Sequence, residues 1–177
     1  WKAVFWNTWS MIDQVFQKLP ESIPRSWQGK KLIRAIPQRD RTLLIYGEFY
    51  YNALLLASLN TSTGMFEYGL DFKNYSYAPV IIPEERQFTH QYIHWASQVD
   101  DTLYVSHGHN TYARSSKGMT GYVSAINIKD HRVLWSSPAL ISNGDNFEIV
   151  DDYLITGYGF TDEPDFLYAL RRKTGDV

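Results

Sequence analysis

The sequence predicts an all-β protein, built from antiparallel sheets that repeat along the chain. Two observations predict this fold class. Aromatic residues make up 16% of the 177 residues, and rings fit the pleated, half-buried surface of a sheet. Three segments also share one pattern, in which an acidic turn precedes a run of strand-forming residues. The hydrophobic share of 44% excludes a disordered chain.

The three copies of this pattern begin at Asp40, Asp100 and Asp151. Each continues, after a variable stretch, with a second strand and a polar turn. The paired aspartates at 100–101 and 151–152 stand at the same place in two copies, where Asp stabilises a turn by bonding its own backbone. We therefore interpret them as turn residues and not as a catalytic acid–base pair.

In the first two copies a third strand follows the polar turn and carries an aromatic residue, a position that the third copy does not reach. Tyr68 follows Gly64 by four residues, and Trp135 follows His131 by the same distance. A single sheet of this kind cannot bury both of its faces, so it must stack against others. Packing four-stranded antiparallel sheets around an axis, as the blades of a β-propeller, solves that problem, and we predict about three such blades.

Two stretches of the sequence resemble one propeller family. Residues 166–170, followed by the turn at 173–175, resemble the blade repeat of the PQQ-like (quinoprotein alcohol dehydrogenase-like) β-propellers. Residues 122–126, with Trp135 beyond them, resemble the Trp-bearing end of that repeat. The resemblance covers residues 33–177. It implies an extracytoplasmic (periplasmic or secreted) location and a ring of seven or eight blades. With about three blades here, that ring is completed by missing sequence or by other chains, or it does not form.

Residues 1–30 do not fit the repeat, and we predict them to be a separate extension ahead of a propeller domain at 31–177. The first six residues have strand composition. The spacing of Trp9, Ile12, Phe16 and Leu19 predicts a short amphipathic helix near residues 10–18, which Pro20 ends. This helix either packs on the propeller or docks a partner, and the sequence leaves both open.

Charge and composition exclude several classes of function. The 17 basic and 19 acidic residues leave a net charge of −2, which gives no basic surface for nucleic acid. No segment reaches the roughly 18 apolar residues of a membrane span. The chain has no cysteine, so disulfides and Cys-based zinc sites are excluded.

His107 and His109 are two residues apart, so in an extended segment their side chains point the same way, as metal ligands can. No third ligand is recognisable, and we favour ordinary loop histidines. Asn143, Asp145 and Asn146 could offer oxygen to a hard cation, but calcium takes six or more ligands, so a turn is the better interpretation. These five residues and Tyr158 are our candidates for ligand contact, without a metal or cofactor.

These observations favour a non-catalytic binding or scaffold module, whose ligand is an unknown protein or small molecule. One alternative is a fragment of a quinoprotein-like dehydrogenase that holds calcium and a quinone. Enzymes of that class commonly carry a vicinal cysteine pair, which this chain lacks. A second alternative is a carbohydrate-related propeller, in which Phe49, Tyr50 and Tyr51 stack on sugar rings.

Overall fold

The computed structural model describes residues 20–48, 52–75, 84–85, 89–109, 114–144, 146–160 and 164–177. Within these ranges the chain forms three antiparallel sheets and short 3₁₀ turns, which include Phe72–Tyr75 and Arg114–Ser116. The all-β prediction is confirmed. The strand and helix predicted for residues 1–18 lie outside the described residues.

The strands follow one another in chain order through the three sheets. They are β1 (Ser26–Trp27), β2 (Lys30–Pro37), β3 (Arg41–Gly47), β4 (Ala53–Asn60), β5 (Phe66–Asp71), β6 (Tyr92–Val99), β7 (Thr102–Gly108), β8 (Tyr122–Asn127), β9 (Val133–Ser136), β10 (Phe147–Val150), β11 (Tyr153–Tyr158) and β12 (Phe166–Arg171). The first sheet is β1–β5, the second β6–β9 and the third β10–β12.

The second sheet has the predicted four strands. The first adds the two-residue strand β1 to four longer ones, and the third has three strands among the described residues. Each strand pairs with its sequence neighbour, as in a meander. Each sheet therefore contains the strands that follow one aspartate turn, together with the strand before that turn, which is β2, β6 or β10.

Backbone hydrogen bonds repeat from sheet to sheet and define which residues are equivalent. The amides of Thr61, Ile128 and Arg172 donate to the carbonyls of Asp40, Asp101 and Asp152 at 3.2, 3.0 and 2.8 Å. Asp40 is therefore equivalent to Asp101 and Asp152 in the structure, whereas the sequence pattern aligned it with Asp100 and Asp151. The first copy is shifted by one residue relative to that alignment. Asp100 and Asp151 both take a φ of 52° between paired strands, which confirms the turn interpretation, since Asp tolerates this region better than most residues.

The sheets stack in chain order and share one core. We call the face that meets the following sheet the front face, and the opposite one the rear face. Leu43 and Leu56 on the front of the first sheet belong to the same buried cluster as Val105 on the rear of the second. Tyr104 on the front of the second sheet belongs to it together with Leu154 on the rear of the third. The stack is thus continuous through two joints.

Aromatic residues of the outer strands lie at both joints, as the sequence predicts. The Tyr68 hydroxyl donates to Gln98 Oε1 at 2.6 Å, which links the first sheet to the second. The Trp135 indole N–H donates to the Arg172 carbonyl at 3.1 Å, which links the second to the third. Both rings are half-buried against the common core.

Candidate functional site

His107 lies inside β7 and not in a loop, and its side chain is completely buried. Its Nδ1 lies 3.0 Å from Gln91 Oε1, so it donates there, and its Nε2 accepts from the Ser124 hydroxyl at 2.8 Å. The ring also stacks on Tyr122 with the centroids 5.6 Å apart. Both nitrogens are engaged, which leaves the ring no lone pair for a metal.

Burial is the main reason that the pKa of His107 falls to about 3, and the nearby His94 adds a smaller lowering. The imidazole is therefore neutral at physiological pH, as the hydrogen bonds require. In the part of the chain that the structure describes, no three His, Cys, Asp or Glu residues group together as a metal site would require.

The other candidate residues that the structure describes lie near the ends of β7 and β11, at one end of the second and third sheets. His109 is buried, and its backbone N–H donates to Thr120 Oγ1 at 2.9 Å. The Asn143 amide donates to the Gly159 carbonyl at 2.7 Å and accepts from the Gly159 N–H at 3.2 Å. Asn143 therefore clamps two loops together, and contact with a ligand stays a prediction for it and for His109.

Tyr158 packs across the joint between the second and third sheets. A Cβ on Gly121 would lie 2.9 Å from the Tyr158 ring, so glycine makes room for it. Asn146 is exposed beside β10, and Asp145 lies outside the described residues. For Tyr158 and Asn146, too, ligand contact stays a prediction.

A buried chain of hydroxyl groups crosses the same joint. Ser142 Oγ lies 2.7 Å from Ser106 Oγ on the second sheet and 2.6 Å from Thr156 Oγ1 on the third. All three side chains are buried. Because each hydroxyl can both donate and accept, the two contacts give every oxygen of the chain a hydrogen-bond partner. The predicted loop end is thus a tightly bonded joint.

The front face of the third sheet differs sharply from its counterparts. The three sheets have equivalent residues at Leu56, Val123 and Leu167. Each lies four residues before the residue whose backbone N–H closes the turn that follows. These closing bonds run from Asn60 to the Met65 carbonyl at 2.9 Å, from Asn127 to the Arg132 carbonyl at 2.9 Å and from Arg171 to the Asp176 carbonyl at 2.7 Å. Leu56 and Val123 are 0% exposed because the following sheet covers them, whereas Leu167 is 79% exposed. A position that is buried in two copies is open in the third.

Further apolar side chains surround Leu167. Val150 is 51% and Tyr153 42% exposed, and Ala169 is also exposed. The register of β10, β11 and β12 places Val150 beside Tyr153 and Ala169 beside Ile155. We call these five residues, Val150, Tyr153, Ile155, Leu167 and Ala169, the open face. It is an exposed apolar face of the kind that marks an interaction site.

A cavity of about 750 Å³ lies among the inner strands β2, β6 and β10. Its lining includes Trp95, Glu148, Asp152 and Arg172. Both signs of charge are present, and the arrangement defines no acid–base pair or cation site by itself. The open face is therefore the stronger candidate for function.

Sequence reasoning did not identify the open face. Leu167 lies in the segment that best matches the propeller repeat, and the repeat pattern predicts that an apolar residue at this position is buried in the core. Only the order of the copies could have predicted the exposure of Leu167, because no described sheet follows the third one and covers it.

Three stacked antiparallel sheets with a recurring turn define a segment of a β-propeller. Two solved structures are similar to it over 80% of this chain. BamB from Moraxella catarrhalis has 15% identity and a TM-score of 0.42, and a europium-containing methanol dehydrogenase has 10% identity and a TM-score of 0.49.

The chain spans only 33% and 23% of the length of those two proteins. No protein-family profile matches this sequence, and no curated protein does either. No helix among the described residues is long and apolar enough to span a membrane.

Proposed function

We propose that this chain is a non-catalytic propeller segment that binds through the open face of its third sheet. The occupant we propose is a further antiparallel blade, which belongs either to the same protein or to a partner chain. The observation that carries the proposal is the exposure of Leu167, whose two equivalents are buried by exactly such a sheet.

The residues of the open face indicate what its occupant must offer. Gly157 stands where Ser106 stands on the second sheet, so at this position the open face has no hydroxyl to extend a chain like the one through Ser142. Ile155 stands where Tyr104 stands, and Tyr104 reaches the next sheet by donating to the Arg172 carbonyl at 3.4 Å. The open face therefore suits a mainly apolar partner surface, held by burial of apolar area.

Two charged residues border this surface, Arg171 on β12 and Glu148, which lies on β10, is exposed and pairs with Ile155. The Arg171 guanidinium lies over the Tyr153 ring, 5.8 Å from the centroid, and its side chain is exposed. A charged rim around an apolar centre is typical of protein interfaces. An occupant with a carboxylate or a turn carbonyl at this edge would match Arg171.

A site-specific photo-cross-link tests this proposal. A benzophenone amino acid replaces Leu167 in the protein expressed in its native host, and the matched control replaces Lys129, which is exposed on the turn of the second sheet. We expect position 167 to capture a peptide with the strand–turn pattern of a blade. Equal capture at both positions, or capture of a helical protein, would exclude a blade as the occupant.

The proposal includes an extracytoplasmic location, which rests on the resemblance to PQQ-like propellers.

A further inference from the structure

The rear face of the first sheet is buried although no other sheet of the described chain packs on it. On the second and third sheets, rear-face residues such as Val105 and Leu154 pack against the sheet before them. On the first sheet, Leu44, Tyr46 and Ala57 belong to a separate core and are as completely buried. Something else must therefore take the place of a preceding sheet.

Among the described residues, Ile23 and Trp27 pack on this face. Both belong to the core of the rear face. The Trp27 ring lies 5.8 Å from the Tyr46 ring and 5.7 Å from the Phe66 ring, centroid to centroid. A Cβ on Gly69 would collide with the indole, so glycine lets the ring lie directly on β5. Trp27 thus spans the sheet from its first strand to its last.

Hydrogen bonds hold this segment in place. The Tyr46 hydroxyl donates to the Pro24 carbonyl at 3.1 Å. The Leu32 N–H donates to the Arg25 carbonyl at 2.9 Å, and β1 pairs with the start of β2 through a turn in which Gly29 takes a φ of 73°. The segment is therefore a fixed part of the fold, bonded both to its own sheet and across the rear face.

We propose that residues 23–27 form a plug that blocks head-to-tail stacking of two copies of this chain. The open face of one copy and the rear face of another are the two halves of a blade joint, like those inside the chain. A head-to-tail joint of this kind does not close on itself after two copies and can extend into chains. The plug keeps one half of the joint occupied.

The test removes the plug in two ways and follows the mass by light scattering. Trp27→Ala deletes the indole, and Gly69→Ala displaces it without removing apolar surface. Gly144→Ala is the matched control, because a Cβ there meets only ordinary contacts at 3.6 Å or more. We expect the wild type and the control to remain at 20.6 kDa. Both plug variants should form dimers and larger species that Leu167→Glu, added to each, returns to monomers.

This inference rests on the docking role proposed for the open face. A second readout therefore distinguishes failure of the plug from failure of that docking role. Ala57→Cys places the chain's one thiol on the rear face, and its maleimide labelling reports whether that face is covered. Faster labelling in the plug variants without association would refute docking by the open face, and the stacking inference with it. Labelling that stays slow when Trp27 is removed would refute the plug and leave the proposed function standing. Association that Leu167→Glu does not reverse would also overturn the inference.

Discussion

Trp135 of the second sheet lies directly on Gly175 in the turn of the third. A Cβ added to Gly175 would lie 2.5 Å from Trp135 Cε3, and the glycine takes a φ of 76°. Two constraints therefore select glycine here, the backbone conformation and the ring that covers it. The equivalent Gly64 takes a φ of 67° but has no atom within 4 Å of its Cβ position.

This pair of glycines separates backbone strain from packing. Gly64→Ala should lower the free energy of unfolding by about 1 kcal/mol, the cost of the left-handed conformation. Gly175→Ala should cost about 2 kcal/mol or more, because the indole must also move. Denaturant unfolding measures both. In a Trp135→Ala background the two losses should become equal, and a difference that persists there would mean that Trp135 does not cause it.

Truncation of Trp135 tests the joint itself. The ring is half-buried, lies 6.0 Å from the Tyr104 ring and bonds the Arg172 carbonyl. Trp135→Ala should therefore lower stability by about 3 kcal/mol, near the lower end for buried aromatic residues. The neighbouring Leu134 is exposed, and Leu134→Ala should cost less than about 0.5 kcal/mol. Equal losses in thermal or denaturant unfolding would show that the ring is not part of a joint.

Much of the fold follows from local sequence, and the exceptions have physical causes. The Asp pairs predicted turns because Asp adopts the required conformation, and strands β7, β8, β11 and β12 followed from the apolar patterns beside them. The apolar runs of β3 and β4 obscured their register. Their continuous burial has a cause elsewhere in the chain, since the plug covers one face and the second sheet the other.

The candidate site was less predictable than the fold. His107 was assigned to a loop, because a histidine between polar residues looks solvated until Gln91 and Ser124 are seen to engage both nitrogens. The exposure of Leu167 depends on what packs against its sheet, which no local pattern encodes. Phe49, Tyr50 and Tyr51 lie outside the described residues, and sugar stacking by them stays a prediction.

The buried His107 should make the protein sensitive to acid. Its pKa lies near 3 in the folded chain, below the ordinary 6.5. Between these values the unfolded chain binds a proton that the folded chain does not, so stability falls as the pH falls from 6.5 towards 3. Each pH unit in this window should remove about 1.4 kcal/mol.

His107→Gln should lower stability at pH 7 but flatten this acid slope, measured by urea unfolding at several pH values. The control is His131→Gln, which replaces an exposed histidine in the turn of the second sheet. It should leave the slope unchanged. A slope that survives in His107→Gln would assign the acid sensitivity to other groups.

The proposed non-catalytic role gives a direct prediction about activity. With pyrroloquinoline quinone and calcium added, the isolated chain should reduce no dye in the presence of a panel of alcohols and sugars. A quinone-dependent enzyme needs its planar cofactor enclosed and a base positioned beside the substrate. Saturable turnover that disappears on chelation of calcium would instead establish the dehydrogenase alternative.

Thiol labelling at position 167 tests most directly whether the open face is a blade joint. The chain has no cysteine, so Leu167→Cys and Val123→Cys each carry a single thiol at equivalent positions. In the isolated chain, Val123→Cys should label about 100-fold more slowly, because it reacts only after an opening that costs about 3 kcal/mol. Val177 is equivalent to Val133, so a second copy of residues 134–177 appended after it continues the repeat in register. In that extended chain, Leu167→Cys should label as slowly as Val123→Cys. Labelling that stays fast in a folded extended chain would contradict the assignment of this face as the place where a further blade docks.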